Sequence, residues 1–163
     1  MQLHAPIQPC LWFDTQAEEA ARHYITIFPD SRITHVSHYG EAGREVHGMA
    51  PGTAMAVQFE VAGQPCIAMN GGPLFHFSEA ISFMVMCDTQ EQIDYYWDRL
   101  GEGGDAAARQ CGWLKDRYGL SWQVQPTALV SWMSGPRSDL VMTAMLGMKK
   151  LDLAALRAAA QGG

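Results

Sequence analysis

The chain has 163 residues, of which 48% are hydrophobic, and this length and composition predict one compact domain or two small modules with a shared core. The net charge is −6 and Lys149-Lys150 is the only basic pair, so the sequence lacks the clustered positive charge that nucleic-acid binding requires. No apolar run approaches the roughly 18 residues of a membrane span and the start has no secretory leader, so we expect a soluble, cytoplasmic protein without a membrane partner.

The first half of the chain predicts the order β-α-β-β-β. Strands are predicted at Ile7 to Phe13, Arg32 to Tyr39, Ala54 to Val61 and Gln64 to Asn70. Between the first two strands, apolar residues at helical spacing after Thr15 predict a helix that ends at Pro29. The glycines between residues 40 and 52 predict a mobile loop, and Ala62-Gly63 predicts a hairpin turn.

The second half predicts a shorter version of the same order. Strands are predicted at Glu79 to Cys87, Gln110 to Lys115 and Ser121 to Gln125, and no further strand is visible. The apolar composition of the strand that ends at Cys87 predicts cover on both of its faces. A helix is predicted from Thr89 to Gly101, where Gly101-Glu102-Gly103-Gly104 stops it. Asp139 to Met148 and Asp152 to Ala160 predict helices that either cover a sheet or form a dimer contact.

An internal repeat connects the two halves. Asp14-Thr15-Gln16 recurs 74 positions later as Asp88-Thr89-Gln90, each time between an apolar run and a helical pattern. Thr15 with Glu18, and Thr89 with Gln92, have the spacing of a capping box, in which each side chain bonds the backbone N–H of the other residue. Both helices are therefore predicted to begin in the same way.

Several common functional sites are not indicated by the sequence. It contains no P-loop, no H-E-x-x-H and no G-x-S-x-G motif. His35 and His38 lie three residues apart on a predicted strand and would point to opposite faces, which makes them a poor metal pair. The four cysteines lie in strand-like apolar runs without C-x-x-C spacing, which predicts reduced core thiols rather than disulfides or a zinc site. They are Cys10, Cys66, Cys87 and Cys111.

The alternation of the strands predicts a polar wall on the sheet faces opposite the helices. Its predicted ligand-binding residues are Gln8, Trp12, Gln58, Asn70, Ser82, Trp113, Ser121 and Gln123. Amides, hydroxyls and indole rings favour a small organic ligand over a hard cation. The alternative is a polar layer buried between subunits. His76, Glu79 and Lys115 are the candidate catalytic residues, because they could transfer protons beside such a cleft, but loop polar residues are also often only solvated.

Four segments resemble the PhnB-like family of the vicinal-oxygen-chelate superfamily, which also includes glyoxalase I, bleomycin-resistance proteins and dihydroxybiphenyl dioxygenases. The segments are LWFDTQAEEAARHY, QPCIAMNGGPLFHFSEAISFMV, CGWLKDRYGLSWQV and AMLGMKKLDLAAL. The resemblance implies an α+β fold of two βαβββ modules in one domain, at about residues 5–72 and 78–126, with a helical extension over 127–163. It also implies a cleft that is usually completed by homodimerisation.

The family name refers to a 3-demethylubiquinone-9 3-methyltransferase, but the chain has no glycine-rich strand-to-helix turn of the kind that holds an adenosyl cofactor. The resemblance also implies four positions where metalloenzymes of the superfamily hold His or Glu ligands. These positions correspond to Gln8 or Pro9, Ala68 or Asn70, Ala80, and Gln123. Alanine, proline and neutral amides are poor ligands for a divalent ion, so we predict no metal and no other cofactor.

Three functions remain open from the sequence. The first is a metal-free protein that binds a small organic molecule, and the second is a glyoxalase-like lyase or isomerase that uses Glu79, His76, Glu60 or Lys115 for proton transfer. The third is a dimerising structural protein.

Overall fold

The computed structural model describes residues 7–162, so the predicted start of the first module at residue 5 lies outside the described residues. The chain divides into two compact units, and the division falls between His76 and Phe77. Among the described residues, no helix is long and apolar enough to cross a membrane.

The first unit contains a four-stranded sheet and one long helix. Its elements are β1 (Cys10–Phe13), α1 (Ala17–Ile27), β2 (Arg32–His38), the short α2 (Arg44–His47), β3 (Ala54–Val61) and β4 (Gln64–Asn70). The strand order is β1-β4-β3-β2, with β1 parallel to β4 and the other pairs antiparallel. The predicted β-α-β-β-β order is confirmed, with the addition of α2 inside the loop.

Helix α1 packs on one face of this sheet. Its buried residues Ala20 and Tyr24 face the side of β3 that carries Val57 and Phe59, and the Tyr24 and Phe59 rings stack with centroids 6.3 Å apart. Burying a large apolar side chain contributes about 1.5–3 kcal/mol. This face therefore supplies most of the hydrophobic stabilisation of the unit.

The two helices of the repeat begin differently. The capping box predicted at Thr15 and Glu18 is wrong, because α1 begins after Gln16 without a side-chain cap from that residue. The N–H of Ala17 instead donates to Oδ1 of Asn70 at 2.7 Å. The box predicted at Thr89 is confirmed, since its side chain accepts from the N–H of Gln92 and the Gln92 side chain accepts in return.

The second unit contains a three-stranded sheet and a helical extension. Its elements are β5 (Phe83–Cys87), α3 (Gln90–Gly101), a 3₁₀ turn (Ala106–Ala108), β6 (Trp113–Lys115), β7 (Ser121–Pro126), α4 (Leu129–Met133), α5 (Ser138–Leu146) and α6 (Leu153–Gln161). The order β5-β7-β6 matches β1-β4-β3 of the first unit, but among the described residues nothing corresponds to β2. In place of a strand that corresponds to β2, this part of the chain forms the 3₁₀ turn and an isolated bridge between Gln110 and Trp113.

Strand β5 departs from its prediction. It begins at Phe83 rather than Glu79, and only one of its faces is buried. Met84 and Met86 are 51% and 43% exposed. The prediction that both faces are covered is therefore wrong for the described chain.

The C-terminal helices pack around a core of their own and are attached to the second sheet. The buried residues of this core are Leu129, Val141 and Leu156 from the helices and Leu151 from the segment between α5 and α6. The N–H groups of Cys111 and Gly112 donate to the carbonyls of Met148 and Lys149, both at 2.8 Å. The extension thereby fixes the backbone that precedes β6.

Candidate ligand-binding site

The second sheet has one face that packs against α3 and one that carries polar and aromatic side chains. In the pairing of β6 with β7, Trp113 lies opposite Gln123 and Lys115 lies opposite Ser121. Residues directly opposite one another project to the same side, so these four side chains share a face. The intervening Leu114 lies in the buried core. We call the side with the four residues the polar face.

A ladder of side-chain amides crosses the polar face. Nε2 of Gln125 donates to Oε1 of Gln123 at 2.6 Å, and Nε2 of Gln123 donates to Oγ of Ser82 at 2.8 Å. These bonds fix the orientation of the Gln123 amide. They also join β7 to the residue that precedes β5.

A cavity of about 370 Å³ opens at one end of the polar face. This volume is within the range of small-molecule sites, roughly 300–1,000 Å³. The lining residues are Glu79, Ala108, Gln110, Cys111, Trp113, Leu114, Lys115 and Ser121. The lining thus includes a tryptophan, an acidic residue and a basic residue.

Ser121 lines this cavity, and its hydroxyl is shielded from solvent. The residue is 1% exposed, and its Oγ has no hydrogen-bond partner among the described residues. An unsatisfied buried polar group costs about 1–3 kcal/mol. A ligand that bonds this hydroxyl would recover that free energy.

Lys115 and Glu79 form an ion pair in the same cavity. Nζ of Lys115 lies 2.6 Å from Oε1 of Glu79, and the two side chains are 24% and 63% exposed. The hydrogen bond from Lys115, assisted by a backbone N–H and by the Lys115 charge, holds the pKa of Glu79 below its ordinary value. Glu79 is therefore ionised at neutral pH.

Asp116 organises the turn that positions Lys115 and Ser121. Its Oδ1 accepts from the N–H groups of Tyr118 and Leu120, and its Oδ2 accepts from Nε1 of Trp122 at 2.8 Å. The carboxylate is buried and closes the turn between β6 and β7. The strands predicted on either side of this turn did not indicate the bond to Trp122.

In the first unit, Trp12 packs onto the glycines that follow β4. Its Nε1 donates to the carbonyl of Gly72 at 2.8 Å, and its ring meets Phe75 edge to face at 5.0 Å. The ring lies directly against Gly71, so that a Cβ there would overlap it. The indole N–H of Trp12 is thus already occupied.

The structure places Asn70 on a different face of the sheet from the predicted one. It was predicted on the polar wall, but it is 2% exposed and its alternation places it on the helix-covered face with Ala68. Its Oδ1 accepts from Ala17, and its Nδ2 donates to the carbonyl of Ala54 at 2.9 Å. Asn70 therefore joins secondary-structure elements and has no free amide group for a ligand.

The structure brings together only part of the predicted site. Glu79, Trp113, Lys115 and Ser121 line the cavity, and Ser82 joins Gln123 in the ladder. The other predicted residues belong to the first unit, namely Gln8, Trp12, Gln58, Asn70 and His76. Gln8 precedes β1, and Gln8, Gln58 and His76 are exposed.

Gln110, Cys111 and Gln125 also belong to this region, although none of them was predicted as a site residue. The alternation that selected Gln123 also places Gln125 on the polar face. Cys111 was expected in the core, but it is only partly buried and lines the cavity, and Cys10 is exposed. Cys66 and Cys87 are buried as predicted, and burial raises the pKa of each thiol to about 11.

The family model for 3-demethylubiquinone-9 3-methyltransferase matches residues 5–125. The chain belongs to this PhnB-like family. The match ends before α4, so the three C-terminal helices lie beyond it. A search of curated proteins found no significant match.

Similar solved structures support both the family and the fold of this PhnB-like chain. The PhnB protein from Bacillus cereus is 31% identical, with 75% of this chain and 99% of that chain covered and a TM-score of 0.65. Protein PA1353 from Pseudomonas aeruginosa is 19% identical, with 75% and 97% covered and a TM-score of 0.59. The fosfomycin resistance protein FosX from Listeria monocytogenes is 14% identical, with 80% and 97% covered and a TM-score of 0.51. The last two share the fold, and the predicted family and α+β fold are confirmed.

The residues at three of the four metal positions implied by the resemblance do not fit a divalent ion. Ala68 has no donor and is fully buried, while both amide groups of Asn70 and of Gln123 are already hydrogen-bonded. Ala80 also has no side-chain donor. Within residues 7–162, no group of three or more His, Cys, Asp or Glu could hold a metal. The donor set of this PhnB-like chain differs from the His and Glu ligands implied for its metalloenzyme relatives.

Proposed function

We propose that the protein binds a small organic molecule in the cavity of the second unit, without a metal. The single observation that supports this most is a cavity of ligand size whose lining includes Ser121, a residue with a solvent-shielded hydroxyl that has no hydrogen-bond partner among the described residues. Trp113 supplies a flat apolar surface beside it, and Lys115 supplies a positive charge. A planar molecule with a hydrogen-bonding group matches this combination.

The charge state of Glu79 favours binding over a lyase or isomerase reaction. A general base works best when its pKa is near the working pH, which usually requires burial that raises a carboxyl pKa. The hydrogen bond from Lys115 lowers the pKa of Glu79 instead. Glu79 is therefore a weak base, and Lys115 is held by its own counter-ion rather than available for proton transfer.

The binding test uses neutral planar probes, so that it does not depend on the charge of Lys115. Phenol, benzamide and indole are titrated into the protein and observed by amide and indole NMR shifts. We expect shifts centred on Trp113 and Ser121, and weaker binding in Ser121→Ala. Ser131→Ala is the matched control, because its exposed hydroxyl bonds the carbonyl of Ala128 in α4. No cavity shift with any of the three probes would refute the proposed function.

Metal independence has a separate test. The neutral probes are titrated after chelator treatment and again after addition of Zn²⁺, Ni²⁺ or Mn²⁺. We expect the same dissociation constants in all cases, because the amides at the metal positions are already hydrogen-bonded. A metal bound at one equivalent with a large change in probe affinity would contradict the metal-free proposal.

We also propose that the chain forms a homodimer. This is supported by Met84 and Met86, which lie on edge strand β5 and project from the polar face. Half-exposed apolar side chains on an edge strand favour burial against another chain. Sedimentation equilibrium should show a dimer that Met84→Lys with Met86→Lys dissociates, while Val130→Lys at a 65% exposed site does not. A monomeric wild-type protein would reject this proposal.

A cytoplasmic location is proposed on the basis of the cysteines. All four are free, and Cys66 and Cys87 are buried thiols inside strands, which suits a reducing compartment. Cell fractionation with immunodetection tests this, and recovery of the protein outside the cytoplasm would contradict it.

A further inference from the structure

Within the cavity, Lys115 is the deeper member of an ion pair whose other member lies nearer to solvent. The Lys115 side chain is 24% exposed and that of Glu79 is 63% exposed. Glu79 lies in a turn before β5, outside any helix or strand. The Glu79 side chain can therefore leave Lys115 without breaking a strand pair or the amide ladder.

We propose that Glu79 occupies an anion-binding position in the free protein and that the ligand is a planar organic carboxylate, which displaces Glu79 from Lys115. This inference rests on the proposed function, since it names the class of ligand for the same cavity.

The position of Ser121 explains why a ligand carboxylate could displace the internal one. Lys115 and Ser121 are directly opposite in the strand pairing, so their Cβ atoms are about 4.5–5.5 Å apart on the polar face. The Glu79 carboxylate satisfies Lys115 but leaves the hydroxyl of Ser121 without a partner. A ligand carboxylate, unlike that of Glu79, is not tied to the chain, so one oxygen can pair with Lys115 while the other accepts from Ser121 once the atoms that shield this hydroxyl shift.

Trp113 indicates what kind of group should be attached to the ligand carboxylate. It lies two residues before Lys115 on β6, so both side chains project to the same side, and Trp113 also lines the cavity. A planar apolar body attached to the carboxylate would stack there. Benzoate is the smallest probe with both features, and benzamide is its neutral counterpart of nearly the same shape.

In this proposal Glu79 competes with the ligand carboxylate for Lys115 and does not itself bind the ligand. An internal group that occupies the site lowers the apparent affinity by the fraction of time for which the site is free. Replacing Glu79 by Gln removes the competing charge, and we expect benzoate to bind about three- to tenfold more tightly. Benzamide does not compete for the Lys115 charge, so its affinity should change little.

The experiment compares benzoate and benzamide in the wild type, Glu79→Gln and Lys115→Met by NMR titration. Glu102→Gln is the matched control, because Glu102 is 65% exposed and pairs with Arg117 at 3.2 Å outside the cavity lining. We expect tighter benzoate binding only in Glu79→Gln and loss of benzoate binding in Lys115→Met. Glu79→Ala, with thermal unfolding of every variant, guards against an effect of misfolding.

Unchanged or weaker benzoate binding in both Glu79 variants would overturn the competitor role. If benzamide still bound near Ser121 in that case, only this inference would fail. If neither probe bound the wild-type cavity, the proposed function would fail with it.

Discussion

The side-chain oxygen of Asn70 accepts a hydrogen bond from the backbone N–H of Ala17 at 2.7 Å, which ties the end of β4 to the start of α1. The same amide donates to the carbonyl of Ala54, at the start of β3. Three elements that are distant in sequence therefore meet at one buried side chain.

We expect Asn70→Ala to destabilise the protein by about 1–3 kcal/mol, because it leaves the buried N–H of Ala17 without its acceptor and removes the donor to the partly buried carbonyl of Ala54. Chemical denaturation checks this. Gln64→Ala is the control, since the exposed Gln64 amide donates to the adjacent carbonyl of Pro65. A loss below 1 kcal/mol in Asn70→Ala would show that Asn70 does not hold these elements together.

Asn70 also shows how far the sequence could predict the fold. The alternation along β3 and β4 and the turn at Ala62-Gly63 are local signals, and they gave both strands with the observed bounds. The face of β4 that carries Asn70 depends on Ala17, which is 53 residues away, so local polarity suggested the wrong side. For the same reason Thr15 resembles Thr89 in sequence but does not cap its helix.

The candidate site was predictable to a similar extent. Alternation placed Ser121 and Gln123 on the same face, as the strand register confirms. The cavity beside Ser121 depends on the segment from the 3₁₀ turn to Cys111, which lines it without forming a long strand. Periodicity predicts the faces of regular strands but not the space that an irregular segment leaves.

A substitution at Gly71 tests the packing of the segment that follows β4. An added methyl group would overlap the Trp12 ring and disturb the bond from its indole to the carbonyl of Gly72. We expect Gly71→Ala to cost about 1–3 kcal/mol and to change the Trp12 indole N–H signal in NMR spectra. Gly40→Ala is the matched control, because no atom lies within 4 Å of a Cβ placed there. Equal effects of the two substitutions would contradict this packing role.

Ser121→Ala should separate stability from binding. Removing a buried hydroxyl that has no partner should raise the free energy of unfolding by about 1 kcal/mol, while affinity for benzamide and benzoate falls. Denaturation and NMR titration measure the two effects. A variant that is less stable than the wild type would show that the hydroxyl has a structural role instead.

The ion pair of Lys115 with Glu79 predicts a pH dependence with a defined sign. Lys115 lowers the pKa of Glu79 in the folded protein, so the unfolded chain binds the proton more readily. The stabilisation is present above the unfolded pKa of Glu79 and is lost as the pH falls through the lower, folded pKa. We therefore expect the stability difference between wild type and Glu79→Gln to shrink on acidification.

The measurement is a carboxyl-carbon NMR titration of Glu79, combined with denaturation of both proteins at neutral and acidic pH. In Lys115→Met, the pKa of Glu79 should rise towards its ordinary value, because the hydrogen bond and the positive charge of Lys115 are both absent. Lys150→Met is the control, since Lys150 pairs with Asp94 at 2.8 Å and leaves Glu79 untouched. An unchanged titration of Glu79 in Lys115→Met would show that Lys115 does not hold this carboxylate in solution, and the competition proposed for the cavity would lose its basis.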